Sequence, residues 1–170
     1  MRMAAVIVVS ILLVISMSTL AEMAASTDGL SVQAVYKKEA SLSFLTDLES
    51  SFYSAYSLHN NLDLQIRKAG HFVIYGVIAL LIFFTTPVKK LWERGLSGAA
   101  SSTLIGLIDE IHQYFLISRS GRILDVYINA AGSLTFATAA CVGYLIFRKL
   151  EIKKTAEAGA HREKALPKSM

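Results

Sequence analysis

Four long apolar stretches run along the chain, residues 3–20, 69–86, 96–117 and 126–147, with charged residues gathered mainly between them and at their ends. A helix rises about 1.5 Å per residue, so roughly 20 residues cross the hydrocarbon core of a bilayer, with ~17–25 tolerated. All four stretches fit. Hydrocarbon offers no partner to an open backbone amide or carbonyl, so each should be helical. Pro87, which has no amide hydrogen, ends the second stretch. The pattern predicts an all-α integral membrane bundle of four transmembrane helices, with an extracytoplasmic amphipathic segment between the first and second.

The first stretch has a second reading. Met1-Arg2, an apolar core and the small-residue sequence Thr19-Leu20-Ala21 also resemble a cleavable signal peptide. The core is long for a signal, which favours residues 1–21 as a retained anchor. Residues 22–66 follow as the exported segment. Within it, residues 41–64 place Phe44, Leu48, Phe52 and Tyr56 at helical spacings, the pattern of an amphipathic helix lying at the interface. Residues 24–30 and the tail beyond Lys154 read as flexible connectors.

Composition agrees with this reading: 54% of residues are hydrophobic and 18% charged, too apolar a balance for a soluble domain of this length. The single cysteine, Cys141, which lies in an apolar run, cannot make an intrachain disulfide, so a disulfide scaffold is excluded. The net charge of +4 comes from basic residues that flank apolar runs, so no nucleic-acid partner is expected. Their distribution sets orientation. Lys89, Lys90 and Arg94 face only Glu93 in one loop, and Arg148, Lys149, Lys153, Lys154, Arg162, Lys164 and Lys168 dominate residues 148–170. Both regions are expected in the cytoplasm, which makes this a multi-pass protein of the bacterial cytoplasmic (inner) membrane with both termini inside. Trp92 reads as an anchor at that cytoplasmic interface. Residues 22–70, with six acids and four bases, are expected outside. Arg119 and Arg122 must then also lie outside, against the usual bias, which points to a function for them.

Candidate chemistry sits near the outer ends of the later three stretches. Ionised side chains within a span cost about 2.5–3.5 kcal/mol each at the helix centre. Asp109, Glu110, His112 and Gln113 nevertheless occupy the last third of the third stretch. At 100° per residue, Asp109, His112 and Gln113 share a face with Gly98, Ser102 and Gly106, and Glu110 lies at its edge. The alternative is that these groups sit at the water interface. Arg67, His71 and Tyr75 recur every four residues at the start of the second stretch, beside Lys68; snorkelling bases with an aromatic anchor are the alternative. Asp125, Asn129 and Gly132 share a face of the fourth stretch, where Asp125 could also be only an N-cap. Ser133, Ala137 and Cys141 form a small-residue stripe suited to close helix packing.

Three sequences, Arg67-Lys-Ala-Gly-His-Phe-Val-Ile-Tyr-Gly76, Asp109-Glu-Ile-His-Gln-Tyr-Phe115 and Arg119-Ser-Gly-Arg-Ile-Leu-Asp125 with Asn129 and Gly132, stand in order over residues 64–144. Together they resemble the hallmark pattern of the VanZ-like family. The resemblance implies a small four-span bacterial membrane protein with a core at residues 67–147, and the family's namesake is associated with resistance to the glycopeptide teicoplanin. It marks Arg67, Lys68, His71, Tyr75, Asp109, Glu110, His112, Gln113, Arg119, Asp125 and Asn129 as the matching site positions.

Three functions follow. The first is an envelope factor that binds a membrane lipid or lipid-linked envelope precursor at the outer leaflet, with Arg67, Lys68, Arg119 and Arg122 offered to an anionic group. The second is a membrane-embedded hydrolase or transferase acting on a lipid, with His112, Asp109, Glu110 and His71 as candidate catalytic groups. The third is a structural protein with an internal ion-pair cluster. No cofactor is expected, and no metal, because Asp-x-x-His lacks the ligand count of an established motif.

Overall fold

The computed structural model describes residues 2–25, 36–37, 41–55, 62–117 and 119–165. Four helices dominate: α1 (Arg2–Ala25), α2 (Leu62–Thr85), α3 (Leu91–Phe115) and α4 (Ile123–Ala165). Two short 3₁₀ turns, Leu42–Leu45 and Ser51–Tyr53, lie between α1 and α2, and no strand occurs among the described residues.

Helices consecutive in the chain run antiparallel, so α1 with α3 and α2 with α4 run parallel. Met3 at the start of α1 accepts a hydrogen bond from Thr86 just past α2, while Ser18 near the end of α1 reaches Asp109 near the end of α3. Lys68 and His71 of α2 meet Asp125 and Asn129 of α4. The ends of α1 and α3 and the starts of α2 and α4 therefore meet at one end of the bundle. Small residues let the backbones close: a Cβ at Gly98 would lie 2.7 Å from the Ala79 carbonyl oxygen, and one at Gly132 would overlap the Phe72 carbonyl.

The packing is inverted relative to a water-soluble bundle. Ser102, Asp109, Glu110, Gln113, Asp125, Asn129 and Ser133 are buried, whereas Leu12, Leu81, Phe84 and Leu145 are exposed. Val14, Tyr75, Ile78, Ile82 and Ile105 make a modest apolar core. An exposed apolar surface this extensive fits a hydrocarbon surround. Three helices, Met3–Glu22, Leu64–Thr85 and Ile123–Ala158, are long and apolar enough to cross a membrane by length and composition. α3 is not among them, because the polar and small residues it turns towards its neighbours dilute its hydropathy.

Two expected elements differ. Over residues 41–55 there is no amphipathic helix. Ser41 accepts from the Ser43 amide, Thr46 donates to the Ser43 carbonyl, and Ser50 donates to the Phe44 carbonyl. Such short-range side-chain bonds compete with a helix ladder. Phe44 and Phe52 instead pack inwards, with Phe44 stacked on Tyr114 at 3.8 Å between centroids. The tail beyond Lys154, expected as a connector, continues α4 to Ala165. Most of the other expected connector, residues 26–30, lies outside the described residues, as do Tyr56 and residues 166–170.

Candidate functional site

Asp109 is the hub at the polar end of the bundle. Its Oδ2 accepts from the Tyr75 hydroxyl at 2.6 Å and from Gln113 Nε2 at 2.9 Å, and its Oδ1 accepts from Ser18 Oγ at 2.9 Å. Three helices thus converge on one carboxylate that is 4% exposed. Tyr75 is held from below: Ser133 Oγ donates to Ser102 Oγ at 3.0 Å, and Ser102 donates to the Tyr75 carbonyl at 2.6 Å. The hydroxyls of the small-residue faces therefore tie α2, α3 and α4 together under the site.

Glu110, expected at the edge of its face, is fully buried. Its Oε2 accepts from the Arg122 amide at 3.2 Å, and its Oε1 lies 3.4 Å from His71 Nδ1 without a hydrogen bond. Close approach of the loop after α3 makes this possible, because any side chain at Gly121 would collide with the Glu110 carbonyl. His71 Nδ1 also lies 3.2 Å from Asn129 Oδ1. Lys68 pairs with Asp125 at 2.5 Å; α4 starts at Ile123, so Asp125 lies in its first turn, past the N-cap position, and its carboxylate serves an ion pair between α2 and α4.

His112 departs from the expected grouping. Its Nε2 lies 3.1 Å from the Tyr36 hydroxyl and 3.4 Å from Thr19 Oγ1, so it faces α1 and the segment before α2. No hydrogen bond joins it to Asp109 among the described residues. His71, Asp109 and His112, grouped in the sequence as candidate catalytic residues, do not gather into one cluster among the described residues. One ligand atom each from His71, Asp109 and Glu110 do lie within 4.8 Å of one another.

The arginines and lysines surround two adjoining hollows. A cavity of about 170 Å³ has Val14, Met17 and Ile74 on its apolar side and His71, Asp109 and Arg119 on its polar side. A second, of about 150 Å³, is lined by Arg67, Lys68, His71, Gln113, Arg119 and Asp125, among others. His71, Gln113 and Arg119 belong to both. The Arg119 guanidinium has no hydrogen bond or ion pair among the described residues. Arg122 lines a third recess with Arg67 and Lys68, and its guanidinium also donates to the Ala55 carbonyl at 3.3 Å.

Sequence reasoning missed the contribution of α1 and of Tyr36-Lys37. Ser18 and Thr19 reach Asp109 and His112, and Glu22 is 3% exposed. Their spacing at the end of an apolar helix, Ser18, Thr19 and then Glu22, was the available signal. Lys37 donates from Nζ to the Tyr114 carbonyl at 2.7 Å, and its amide donates to the Phe115 carbonyl at 2.9 Å. Burial lowers the pKa of Lys37 from the ordinary lysine value, opposed by the Glu22 carboxylate.

A family model described as VanZ/LLP1 matches residues 3–150. The match extends the resemblance read from residues 64–144 back through α1, the helix that supplies Ser18 and Thr19. No curated protein and no solved structure matches the chain.

Proposed function

Because the chain belongs to the VanZ/LLP1 family, we propose that it is a cell-envelope membrane protein whose polar site binds an anionic, lipid-linked envelope molecule at the outer leaflet. The observation that carries this reading is the shared lining of the two hollows. An apolar wall from α1 and α2 adjoins a basic cleft, with Arg119 common to both. That arrangement suits an amphiphile: the acyl or prenyl part lies along Val14, Met17 and Ile74, and a phosphate meets the guanidinium of Arg119 beside Arg67 and Lys68.

On this reading all four helices span the inner membrane, α1 is retained, and both termini are cytoplasmic. α3 crosses despite its low hydropathy because its polar groups face the other helices. Binding a cell-wall precursor lowers susceptibility to teicoplanin by changing what the glycopeptide can reach.

Native mass spectrometry of the protein with a polyprenyl phosphate, and with a neutral polyprenol of equal length, tests the reading. Saturable binding of the phosphate alone, weakened at least about tenfold in Arg119→Ala, is expected. Equal binding of both lipids, or an Arg119→Ala variant that binds as wild type does, would overturn it.

A further inference from the structure

We propose that His71, Asp109 and Glu110 form a binding site for a divalent transition-metal ion such as Zn²⁺ or Mn²⁺. This stands apart from the lipid reading, since the ion needs no lipid to bind. The three residues come from two helices, His71 from α2 and the adjacent Asp109 and Glu110 from α3, and a ligand atom of each lies within 4.8 Å of the others.

A second, independent observation points to a missing ligand. Glu110 is 0% exposed, and its Oε1 is buried without any hydrogen bond. A buried carboxylate oxygen left with His71 Nδ1 at 3.4 Å and no hydrogen bond is costly, and two carboxylates on consecutive residues raise that cost. The nearby cation Lys68 is ion-paired with Asp125 of α4. A divalent ion between Asp109 and Glu110 would supply the missing charge and engage Glu110 Oε1 at once.

The donor set also has recognisable chemistry. One imidazole with two carboxylates suits Zn²⁺ or Mn²⁺ better than an all-oxygen Ca²⁺ cage. Three protein ligands leave a coordination position open. His71 and Asp109 line the 170 Å³ cavity, so that position can face it. Outer partners are in place as well. Tyr75, Gln113 and Ser18 hold Asp109, the Arg122 amide holds Glu110, and Asn129 lies beside His71.

The arrangement could not be read from Asp-x-x-His on one helix. The fold turns His112 towards Tyr36 and Thr19, and brings His71 across from α2 to Glu110.

The test uses tag-free full-length protein in detergent, stripped with chelator and dialysed against Zn²⁺ or Mn²⁺ alone, with bound metal measured by mass spectrometry. Wild type and His112→Ala should each hold one ion of either metal per chain. Glu110→Gln and His71→Gln should bind more weakly, by more than the roughly 10–100-fold typical of losing an outer partner. Circular dichroism and gel filtration establish that each variant is folded, and two ligand variants guard against one of them failing to fold. Folded wild type that takes up neither ion in stoichiometric amount would overturn the proposal. So would folded Glu110→Gln and His71→Gln variants that bind as wild type does.

Discussion

Tyr75 on α2 donates its phenolic hydrogen to Asp109 Oδ2 on α3 at 2.6 Å, with the tyrosine 1% and the aspartate 4% exposed. The bond locks the orientation of the carboxylate around which Ser18 and Gln113 also arrange themselves. Tyr75→Phe keeps the ring and removes the donor. Hydrogen bonds to charged groups are worth about 1.5–3 kcal/mol in water-soluble proteins, and interhelical bonds in membranes average about 0.6 kcal/mol. A loss of about 1–2 kcal/mol is expected, read as a lower midpoint in detergent-induced unfolding. An unchanged midpoint would remove Asp109 from its place as the hub.

The Lys68–Asp125 pair is predicted to be worth more broken than replaced. Both side chains are largely buried, so Lys68→Met alone takes the lysine cation from a buried carboxylate and should cost about 3–5 kcal/mol. The double variant Lys68→Met with Asp125→Leu should recover much of that loss. Thermal melts of the two single variants and the double variant make the cycle.

Gly132 and Gly143 give a matched pair on α4. A Cβ at Gly132 meets the Phe72 backbone, whereas one at Gly143 has nothing within 4 Å. Backbone cannot step aside as a flexible side chain can, so Gly132→Ala should cost about 1–3 kcal/mol or more. Gly143→Ala should be neutral or slightly stabilising in a helix. Folded yield and melting temperature distinguish the two.

Phe44 is expected to hold residues 41–55 over the end of α3. It is 4% exposed, stacks on Tyr114, meets Phe115 edge-on and packs at a tilt against Phe52. Phe44→Ala should release this segment to limited proteolysis and leave the helical circular dichroism signal largely intact. Protection equal to wild type would show that the aromatic contact does not hold it.

The helices were legible because apolar stretches of spanning length allow few other conformations in lipid. The convergence of Lys68, His71, Tyr75, Asp109, Glu110, Asp125 and Asn129 was legible from their helical spacing and their common distance from the stretch ends. Helical spacing alone could not assign partners between helices. It grouped His112 with Asp109 by face, but the rotation of α3 against α1 sends the imidazole to Thr19 and Tyr36. The same limit hid Ser18 and Thr19, whose role depends on α1 lying against α3. Residues 41–55 misled for a different reason. Their apolar spacing suits a helix, but their serines, threonine and aspartate bond locally to the backbone.

The central claim is that the polar end of the bundle, where Asp109, His71 and Arg119 meet, opens on the extracytoplasmic side. Side-specific labelling of single cysteines in a Cys141→Ser background tests it most directly. Ser120→Cys beside the site and Lys89→Cys at the opposite end are treated with a membrane-impermeant maleimide in intact cells whose outer layers have been removed. The account predicts that position 120 is labelled from outside, and position 89 only after the membrane is permeabilised. Labelling of 89 from outside, with 120 protected until permeabilisation, would contradict it.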